Sequence, residues 1–284
     1  MAVLGPGLIG GSVLKAARAS DPAVELRVWA RREMAVAELK ASSGLVDLAT
    51  NSVSEVVTGA DLVILAMPID HMATVVEQFP RFEEGEGPIV TDVGSVKEQV
   101  VATVGALVRE KGGSFLGSHP MAGSEKAGFE NATPNLFENA AVILTPETTN
   151  SHEEITQLGS FWESLGAHVS ALPADQHDLV VARVSHLPHL LSAALVRMVM
   201  LSDADAAVRY SAGGFRDTTR ISAGPEEMWT GIFLENADAV KGELERLIED
   251  LEKWRDALDT LDSDRLRSFL CEAREFRESL DSRG

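Results

Sequence analysis

Three segments of the chain carry side chains whose types and spacing suit proton and hydride transfer. Residues 91–97 read TDVGSVK, residues 117–128 read GSHPMAGSEKAG, and residues 177–189 read HDLVVARVSHLPH. The first two lie where predicted strands end, and parallel α/β sheets bind their ligands at that edge. These segments therefore predict an active site beside the carboxyl ends of strands.

His119 is the candidate general base, because histidine titrates near neutral pH. Ser95 can hydrogen-bond the His119 imidazole or a substrate hydroxyl, and Arg220 can bind a carboxylate through a bidentate pair. The structural alternatives are a histidine satisfied in the core or a loop and an arginine in an interdomain ion pair. The residue types alone leave both interpretations open.

A metal site is the other chemistry that the histidines suggest. His186 and His189 are three residues apart, but Pro188 lies between them, and neither His177 nor another residue supplies a third ligand at a suitable spacing. Cys271 is the sole cysteine, which excludes a cysteine-cluster site and an internal disulfide. The sequence predicts no metal.

A glycine-rich turn, GPGLIG at residues 5–10, directly follows the first predicted strand and opens a helix. The first glycine permits a tight turn, the second lets the backbone approach a pyrophosphate, and the third allows close helix–strand packing. A purely structural turn is the alternative. We favour a dinucleotide site whose predicted contacts in this turn are Gly5, Gly7, Leu8, Ile9 and Gly10.

The end of the second strand indicates which dinucleotide. NAD-binding folds tend to place an acidic residue there for the ribose 2′-hydroxyl, whereas this chain has Ala30 followed by Arg31 and Arg32. Two guanidinium groups suit a 2′-phosphate, although an arginine pair can also begin a solvated helix. NADP is therefore favoured and NAD remains possible. We also assign Met67, Pro68 and Gly94 to the cofactor site.

Short apolar runs alternate with helical patterns over the first 172 residues, which predicts a parallel sheet covered by helices on both faces. The predicted strands are Ala2–Leu4, Leu26–Trp29, Leu62–Ala66, Ile89–Asp92, Ser114–Gly117, Val142–Thr145 and His168–Ala171. The predicted helices between them include Gly11–Ala19, Glu33–Ser42 and Val96–Lys111. We expect residues 1–172 to form an α/β domain.

Beyond Pro173 the pattern becomes helical, with long stretches at Leu190–Leu201 and Met228–Leu258 and no convincing strand. Leu244, Leu247 and Leu251 recur at spacings of three and four, as on the apolar stripe of an amphipathic helix. Such stripes are usually buried against other helices, often those of a second subunit. Residues 173–284 are expected to form an all-helical dimerisation domain.

Composition narrows the classes of function. The 284 residues include 44 acidic and 25 basic side chains, giving a net charge of −19, which disfavours nucleic acid and anionic membrane surfaces as partners. No apolar run approaches the roughly 18 residues of a membrane span, and the start, MAVLGPG, lacks a signal-peptide pattern. We expect a cytoplasmic protein that acts on a small molecule.

Five motifs in this order resemble the prephenate/arogenate dehydrogenase family of tyrosine biosynthesis over nearly the whole chain. They are GPGLIGG at 5–11, TDVGSVK at 91–97, GSHPMAGSEKAGFENA at 117–132, HDLVVARVSHLPH at 177–189 and GGFRDTTRISAGPEEMW at 213–229. The resemblance implies a Rossmann-type dinucleotide-binding domain, a helical dimerisation domain, and an active site between them.

The resemblance also implies roles for individual residues. His119 would accept the proton of the C4 hydroxyl. Ser95 would orient the His119 imidazole and contact the same hydroxyl, and Arg220 would bind a substrate carboxylate. Hydride then leaves C4, the C1 carboxylate leaves as carbon dioxide, and the ring becomes aromatic. The remaining matches are pocket residues Ser124, Ser185, His189 and Trp229, and a polar gate of Glu125, Arg216 and Asp217.

Several alternatives stay open. Prephenate and arogenate differ in a keto or amino group, and Asp178 or Glu125 could reach the ammonium of arogenate. With no room for a fused chorismate mutase or regulatory domain, any tyrosine inhibition is expected at the active site. The competing functions are a β-hydroxyacid-type dehydrogenase, for which we find no matching catalytic lysine, and a non-catalytic NADP-sensing dimer.

Overall fold

The computed structural model describes residues 1–42, 44–83, 85–123 and 128–281, without the side chains of residues 203, 206 and 281. The chain divides into two compact units, residues 1–236 and residues 237–284. The predicted boundary at residues 172/173 remains a prediction.

The main sheet contains, within the described residues, six parallel strands in the order β3-β2-β1-β4-β5-β6. Its strands are β1 (Ala2–Leu4), β2 (Arg27–Trp29), β3 (Leu48–Thr50), β4 (Leu62–Leu65), β5 (Ile89–Asp92) and β6 (Ser114–Phe115). The short strand β3 was not predicted. The doubly wound order confirms the Rossmann-type fold class.

Helices cover both faces of this sheet, because alternate side chains of each strand point to opposite faces. On β1, Val3 belongs to one buried cluster, together with Leu14, while Ala2 and Leu4 belong to the other, together with Met72. The helices are α1 (Leu8–Ser20), α2 (Glu33–Ala41), α3 (Val53–Val57), α4 (Ile69–Val76), α5 (Glu98–Val100), a π-helical stretch (Val101–Gly105) and α6 (Ala106–Glu110).

A second, three-stranded sheet corrects the sequence-based prediction around His119. Its strands are β7 (Gly117–Pro120), β8 (Ala141–Thr145) and β9 (His168–Ala171), and α7 (His152–Ser164) connects the last two. The strand predicted over Ser114–Gly117 ends at Phe115, and His119 lies inside β7, antiparallel to β8 and opposite Ile143. His119 therefore does not follow the end of a strand.

The chain beyond Pro173 is helical, as predicted, in the part that the structure describes. Its elements are α8 (Ala174–Val181), a π-helical turn (Ala182–His186), α9 (Leu187–Tyr210), α10 (Gly213–Thr219), a 3₁₀ turn (Arg220–Ala223), α11 (Glu226–Glu235), α12 (Ala237–Asp259) and α13 (Ser263–Asp281). The single helix predicted over Met228–Leu258 is interrupted at Asn236, between α11 and α12.

The second unit consists of α12 and α13, in which the Trp254 and Phe269 ring centroids lie 5.0 Å apart. Leu244 and Leu247 of the predicted stripe are half-buried and Leu251 is 52% exposed. The stripe is therefore incompletely covered within one chain.

One continuous helical stretch, Ala174–Ser202, is long and apolar enough to cross a membrane by length and composition. No such stretch was expected from the sequence. A third of its most apolar window is buried, and its buried side chains include His177, Asp178 and His186. A core helix of a soluble protein passes the same test, so this is weak evidence for a membrane span.

Candidate active site

The glycine turn between β1 and α1 has the geometry that a pyrophosphate requires. Gly5 has φ +101°, and a Cβ there would lie 2.4 Å from the Ala66 carbonyl oxygen. A Cβ on Gly10 would lie 2.1 Å from the Gly5 carbonyl oxygen, whereas a Cβ on Gly7 would meet no described atom within 4 Å. The turn is thus closed toward the sheet and open at Gly7.

The amino terminus of α1 can therefore hold a phosphate group. Gly7 is the N-cap and offers no capping side chain, so the first amides of α1, including those of Leu8 and Ile9, have no side-chain acceptor from their own N-cap. Free amides and the positive end of a helix dipole bind anions. The residues present fit a dinucleotide.

Arg31 and Arg32 follow β2 directly beside this turn, since the Gly5 amide donates to the Trp29 carbonyl at 3.1 Å. Both arginines are exposed, and neither forms an ion pair with a described residue. Met67 and Pro68 follow β4, and Gly94 follows β5. The carboxyl ends of four neighbouring parallel strands thus carry the predicted cofactor residues.

A buried chain of hydrogen-bonding groups links β7 to α8. His119 Nδ1 lies 2.8 Å from His177 Nε2, and His177 Nδ1 lies 2.7 Å from Asp178 Oδ1. All three side chains are buried, and His177 is fully so. His119 Nε2 forms no hydrogen bond with the described residues.

The Asp178 carboxylate is anchored by the backbone at the start of α5. Its Oδ1 accepts from the Lys97 amide at 2.8 Å, and its Oδ2 accepts from the Glu98 amide at 2.9 Å. With His177 this makes three partners for one buried carboxylate. Both oxygens of Asp178 thus accept hydrogen bonds from within the chain, and its suggested reach to a substrate ammonium stays a prediction.

A buried ion pair lies beneath the loop that follows β5. Lys97 Nζ contacts Asp92 Oδ2, which also accepts from the Gly94 amide at 2.8 Å, and both side chains are fully buried. Asp92 Oδ1 has no hydrogen-bond partner among the described residues. Burial lowers the pKa of Lys97, and the Asp92 carboxylate opposes this shift.

The buried histidines are shifted toward their neutral forms. Burial, with smaller contributions from His177, Lys97 and His186, holds the pKa of His119 well below its usual range. Burial lowers the pKa of His186 from about 6.5 to about 4, partly opposed by Asp178, and burial also lowers the pKa of His189. A neutral imidazole at physiological pH is the form that a general base needs.

Asn236 and Trp229 position the other two histidines. Asn236 Nδ2 donates to the Asp178 carbonyl at 2.8 Å and lies 3.1 Å from His186 Nδ1. His189 stacks on Trp229, with ring centroids 3.5 Å apart and planes 12° apart. The structure thus brings together two of the predicted pocket residues, His189 and Trp229.

The other predicted residues lie in less enclosed positions. Ser95 follows β5 and is half-buried, as is Ser185 in the π turn. Arg220 begins the 3₁₀ turn, is exposed, and forms no ion pair with the described residues, as is also true of Arg216 and Asp217 on α10. No hydrogen bond joins Ser95 to His119 in the described part of the chain. Ser124 and Glu125 lie outside the described residues.

Two features of the site were not predicted from the sequence: the pairing of His177 with His119 and the Lys97–Asp92 pair. Lys97 and Asp92 lie within TDVGSVK, where a lysine five residues after an apolar strand's final aspartate was an available signal. His177 had no comparable signal, because 58 residues separate it from His119. Within the described ranges, no group of three potential ligands could hold a metal ion.

Comparisons with known proteins agree across the whole chain. The family model for the prephenate dehydrogenase nucleotide-binding domain matches residues 18–171, and the model for the prephenate dehydrogenase dimerization domain matches residues 173–272. The cyclohexadienyl dehydrogenase of Zymomonas mobilis is 34% identical over 284 residues, covering 99% of this chain and 95% of its own.

Two solved structures share the fold over nearly their entire length. Prephenate dehydrogenase from A. aeolicus, in complex with hydroxyphenyl propionate and NAD+, is 28% identical with a TM-score of 0.88, covering 98% of this chain and 97% of its own. Synechocystis arogenate dehydrogenase is 28% identical with a TM-score of 0.83, and the match covers 98% of this chain and 99% of the Synechocystis chain. This chain therefore belongs to the prephenate dehydrogenase family, which confirms the resemblance inferred from its motifs.

Proposed function

We propose that this protein oxidatively decarboxylates prephenate or arogenate to 4-hydroxyphenylpyruvate or tyrosine, with NADP as the favoured hydride acceptor. The observation that carries the proposal is the buried His119, which is held by His177 at Nδ1 and has Nε2 without a partner among the described residues. Its lowered pKa keeps the imidazole neutral and able to accept a proton.

In the proposed reaction, His119 Nε2 accepts the proton of the C4 hydroxyl as hydride leaves C4, the C1 carboxylate departs as carbon dioxide, and His119 returns the proton to the phenolate oxygen that results. A bound oxidised nicotinamide dinucleotide supplies the hydride acceptor. Arg220 binds a substrate carboxylate, for which its exposed guanidinium is available because it has no ion-pair partner among the described residues. Ser95 contacts the same hydroxyl as His119, while Ser185, His189 and Trp229 line the side-chain end of the pocket.

The test is reduction of NADP and of NAD by the purified protein, with prephenate and arogenate each supplied separately. We expect reduction with at least one substrate, faster with NADP, and loss of turnover but retained nucleotide binding in His119→Ala. General-base catalysis typically contributes about 10²–10⁴-fold. His152→Ala, at an exposed position on α7, is the matched control. No reduction by folded, nucleotide-binding protein would overturn the proposal.

The preference for NADP rests on Arg31 and Arg32. Because their guanidinium groups have no carboxylate partner among the described residues, they are available to a 2′-phosphate. Replacing both with alanine should weaken NADP binding at least tenfold and leave NAD binding within about twofold, since a charge-assisted hydrogen bond contributes roughly 1.5–3 kcal/mol. Lys40→Ala, in the last turn of α2, is the control for charge alone. An equal loss for both dinucleotides would contradict the assignment.

We further propose that the protein acts as a homodimer through its C-terminal helices. The match to the dimerization-domain model supports this, and α9 exposes large apolar side chains, including Met198 (57%) and Leu201 (73%). Monomeric proteins rarely leave such groups together in water. Light scattering should give a dimer for the wild type and a monomer for the double variant Met198→Glu/Leu201→Glu; a wild-type monomer would refute the proposal.

A further inference from the structure

We propose that His177 and Asp178 are positioning residues that hold His119 in its Nδ1–H tautomer, so that Nε2 is the nitrogen presented to the substrate hydroxyl. The inference rests on the proposed function for its catalytic consequence. The hydrogen-bond geometry itself is independent of the substrate.

The tautomer of His119 follows from Asp178, the residue at the far end of the hydrogen-bonded chain, whose carboxylate is held by backbone amides. Asp178 accepts from the Lys97 and Glu98 amides, and these donors hold its carboxylate as an acceptor. The nitrogen facing it, His177 Nδ1 at 2.7 Å, must therefore be the donor. A neutral imidazole with hydrogen on Nδ1 has an acceptor at Nε2.

The tautomer of His177 determines that of His119. His177 Nε2, now an acceptor, lies 2.8 Å from His119 Nδ1, so His119 Nδ1 carries the hydrogen and donates it. His119 Nε2 is then the basic nitrogen, and it has no partner among the described residues. The alternative tautomer would place two acceptors or two donors against each other, which costs roughly 1–3 kcal/mol for a buried group.

The arrangement also gives a hydrogen-bond acceptor to the imidazolium that forms when His119 takes the substrate proton, against the burial and neighbouring groups that lower its pKa. His119 is almost fully buried, so its positive charge is poorly solvated. The strengthened hydrogen bond from His119 Nδ1–H to His177 connects this charge to the Asp178 carboxylate through one imidazole ring. Asp178 thus acts on His119 through two successive hydrogen bonds, without touching the substrate.

The first test reads the tautomer directly and needs no substrate. In ¹⁵N NMR of the full-length protein above the lowered pKa of His119, we expect Nδ1 to show the protonated shift and Nε2 the unprotonated one. His119→Ala assigns the signals. In His177→Phe, which removes the acceptor but keeps a ring, the two shifts should approach a mixture of tautomers. An Nε2–H tautomer in the wild type would overturn the inference.

The second test separates positioning from structural support. We expect His177→Phe and Asp178→Asn to lower kcat about 10–100-fold, less than the roughly 10²–10⁴-fold that the general base itself contributes, with KM changed less than threefold. His177→Gln should recover most of kcat, because its amide can accept from His119 Nδ1–H through oxygen and donate to Asp178 through nitrogen. Unchanged kcat in His177→Phe and Asp178→Asn would overturn the inference.

Matched controls remove the same groups elsewhere. Asp175→Asn lies on the same helix at an exposed position, and His152→Phe lies on α7 at another; both should retain wild-type kcat and tautomer. If the wild type reduces neither dinucleotide with either substrate, the proposed function fails, while the NMR result still decides the tautomer. If turnover is present and His177→Phe retains it, only the positioning role fails.

Discussion

His186 should make the folded protein sensitive to acid, and the size of the effect follows from its burial. The side chain is 1% exposed, and its pKa falls from about 6.5 to about 4. Between these values the unfolded chain binds the proton and the folded chain does not, so the free energy of unfolding falls as the pH falls through this window. The full shift corresponds to about 3 kcal/mol, at 1.36 kcal/mol per pKa unit.

The perturbation is His186→Gln, whose amide oxygen can still accept from Asn236 Nδ2, the present neighbour of His186 Nδ1. Urea unfolding at pH 8 and pH 5 gives the difference in unfolding free energy between wild type and variant. We stop at pH 5 because the isoelectric point is ≈ 4.7. By pH 5 the wild type should lose about 2 kcal/mol relative to the variant.

Contributions from the other buried histidines cancel in this difference, because both proteins retain them. Protein concentration is held constant, since dimerisation would make stability depend on it. His152→Gln, at an exposed site on α7, should show a constant difference from wild type across the range. A His186→Gln difference that stays within about 0.5 kcal/mol from pH 8 to pH 5 would refute the link between burial and acid sensitivity.

Two further predictions follow from contacts in the same unit. Gly10→Ala should lower the melting temperature and abolish NADP binding, because its Cβ would lie 2.1 Å from the Gly5 carbonyl oxygen; Gly7→Ala, with no described atom within 4 Å of its Cβ, should keep the melting temperature and lose only binding. Lys97→Met should cost about 3–5 kcal/mol of unfolding free energy, since it leaves a buried Asp92 carboxylate without its cation. Calorimetry with NADP titration and urea unfolding check these, and a Lys97→Met cost below about 1 kcal/mol would contradict the second.

The fold was predictable where local patterns carry the information. The strands β1, β2, β4 and β5 are short apolar runs bounded by turns and helices, and a parallel sheet buries both their faces. By contrast, β7 contains Gly117 and Pro120, which have poor strand propensity. It is an edge strand of its sheet, where proline is tolerated. Pairing with β8 determines this strand, and β8 begins 21 residues after Pro120, so the sequence close to His119 does not reveal the pairing.

In the candidate site, too, local segments could be interpreted from the sequence and contacts between distant residues could not. The glycine turn, the arginine pair and His119 could be proposed from residue types, because each brings its chemistry in a short segment. The bond between His119 and His177 joins residues 58 positions apart, so only the tertiary fold could reveal it. For Asp178, the residue type suggested a free carboxylate, and the amides of Lys97 and Glu98 showed an occupied one.

The π turn at Ala182–His186 explains why helical periodicity did not group the histidines of the third segment. At 3.6 residues per turn, the nine residues from His177 to His186 rotate the helix by about 180° beyond full turns, which places the two on opposite faces. A π turn accommodates about one extra residue, and eight effective residues leave a rotation of about 80°. His177 and His186 then lie on adjacent rather than opposite faces of the helix. One amide nitrogen of Asn236 reaches both the Asp178 carbonyl and His186 Nδ1, which places the His186 imidazole beside the backbone of α8. Deleting one residue from the turn should therefore separate His186 from Asn236 while leaving the His119–His177 contact in place.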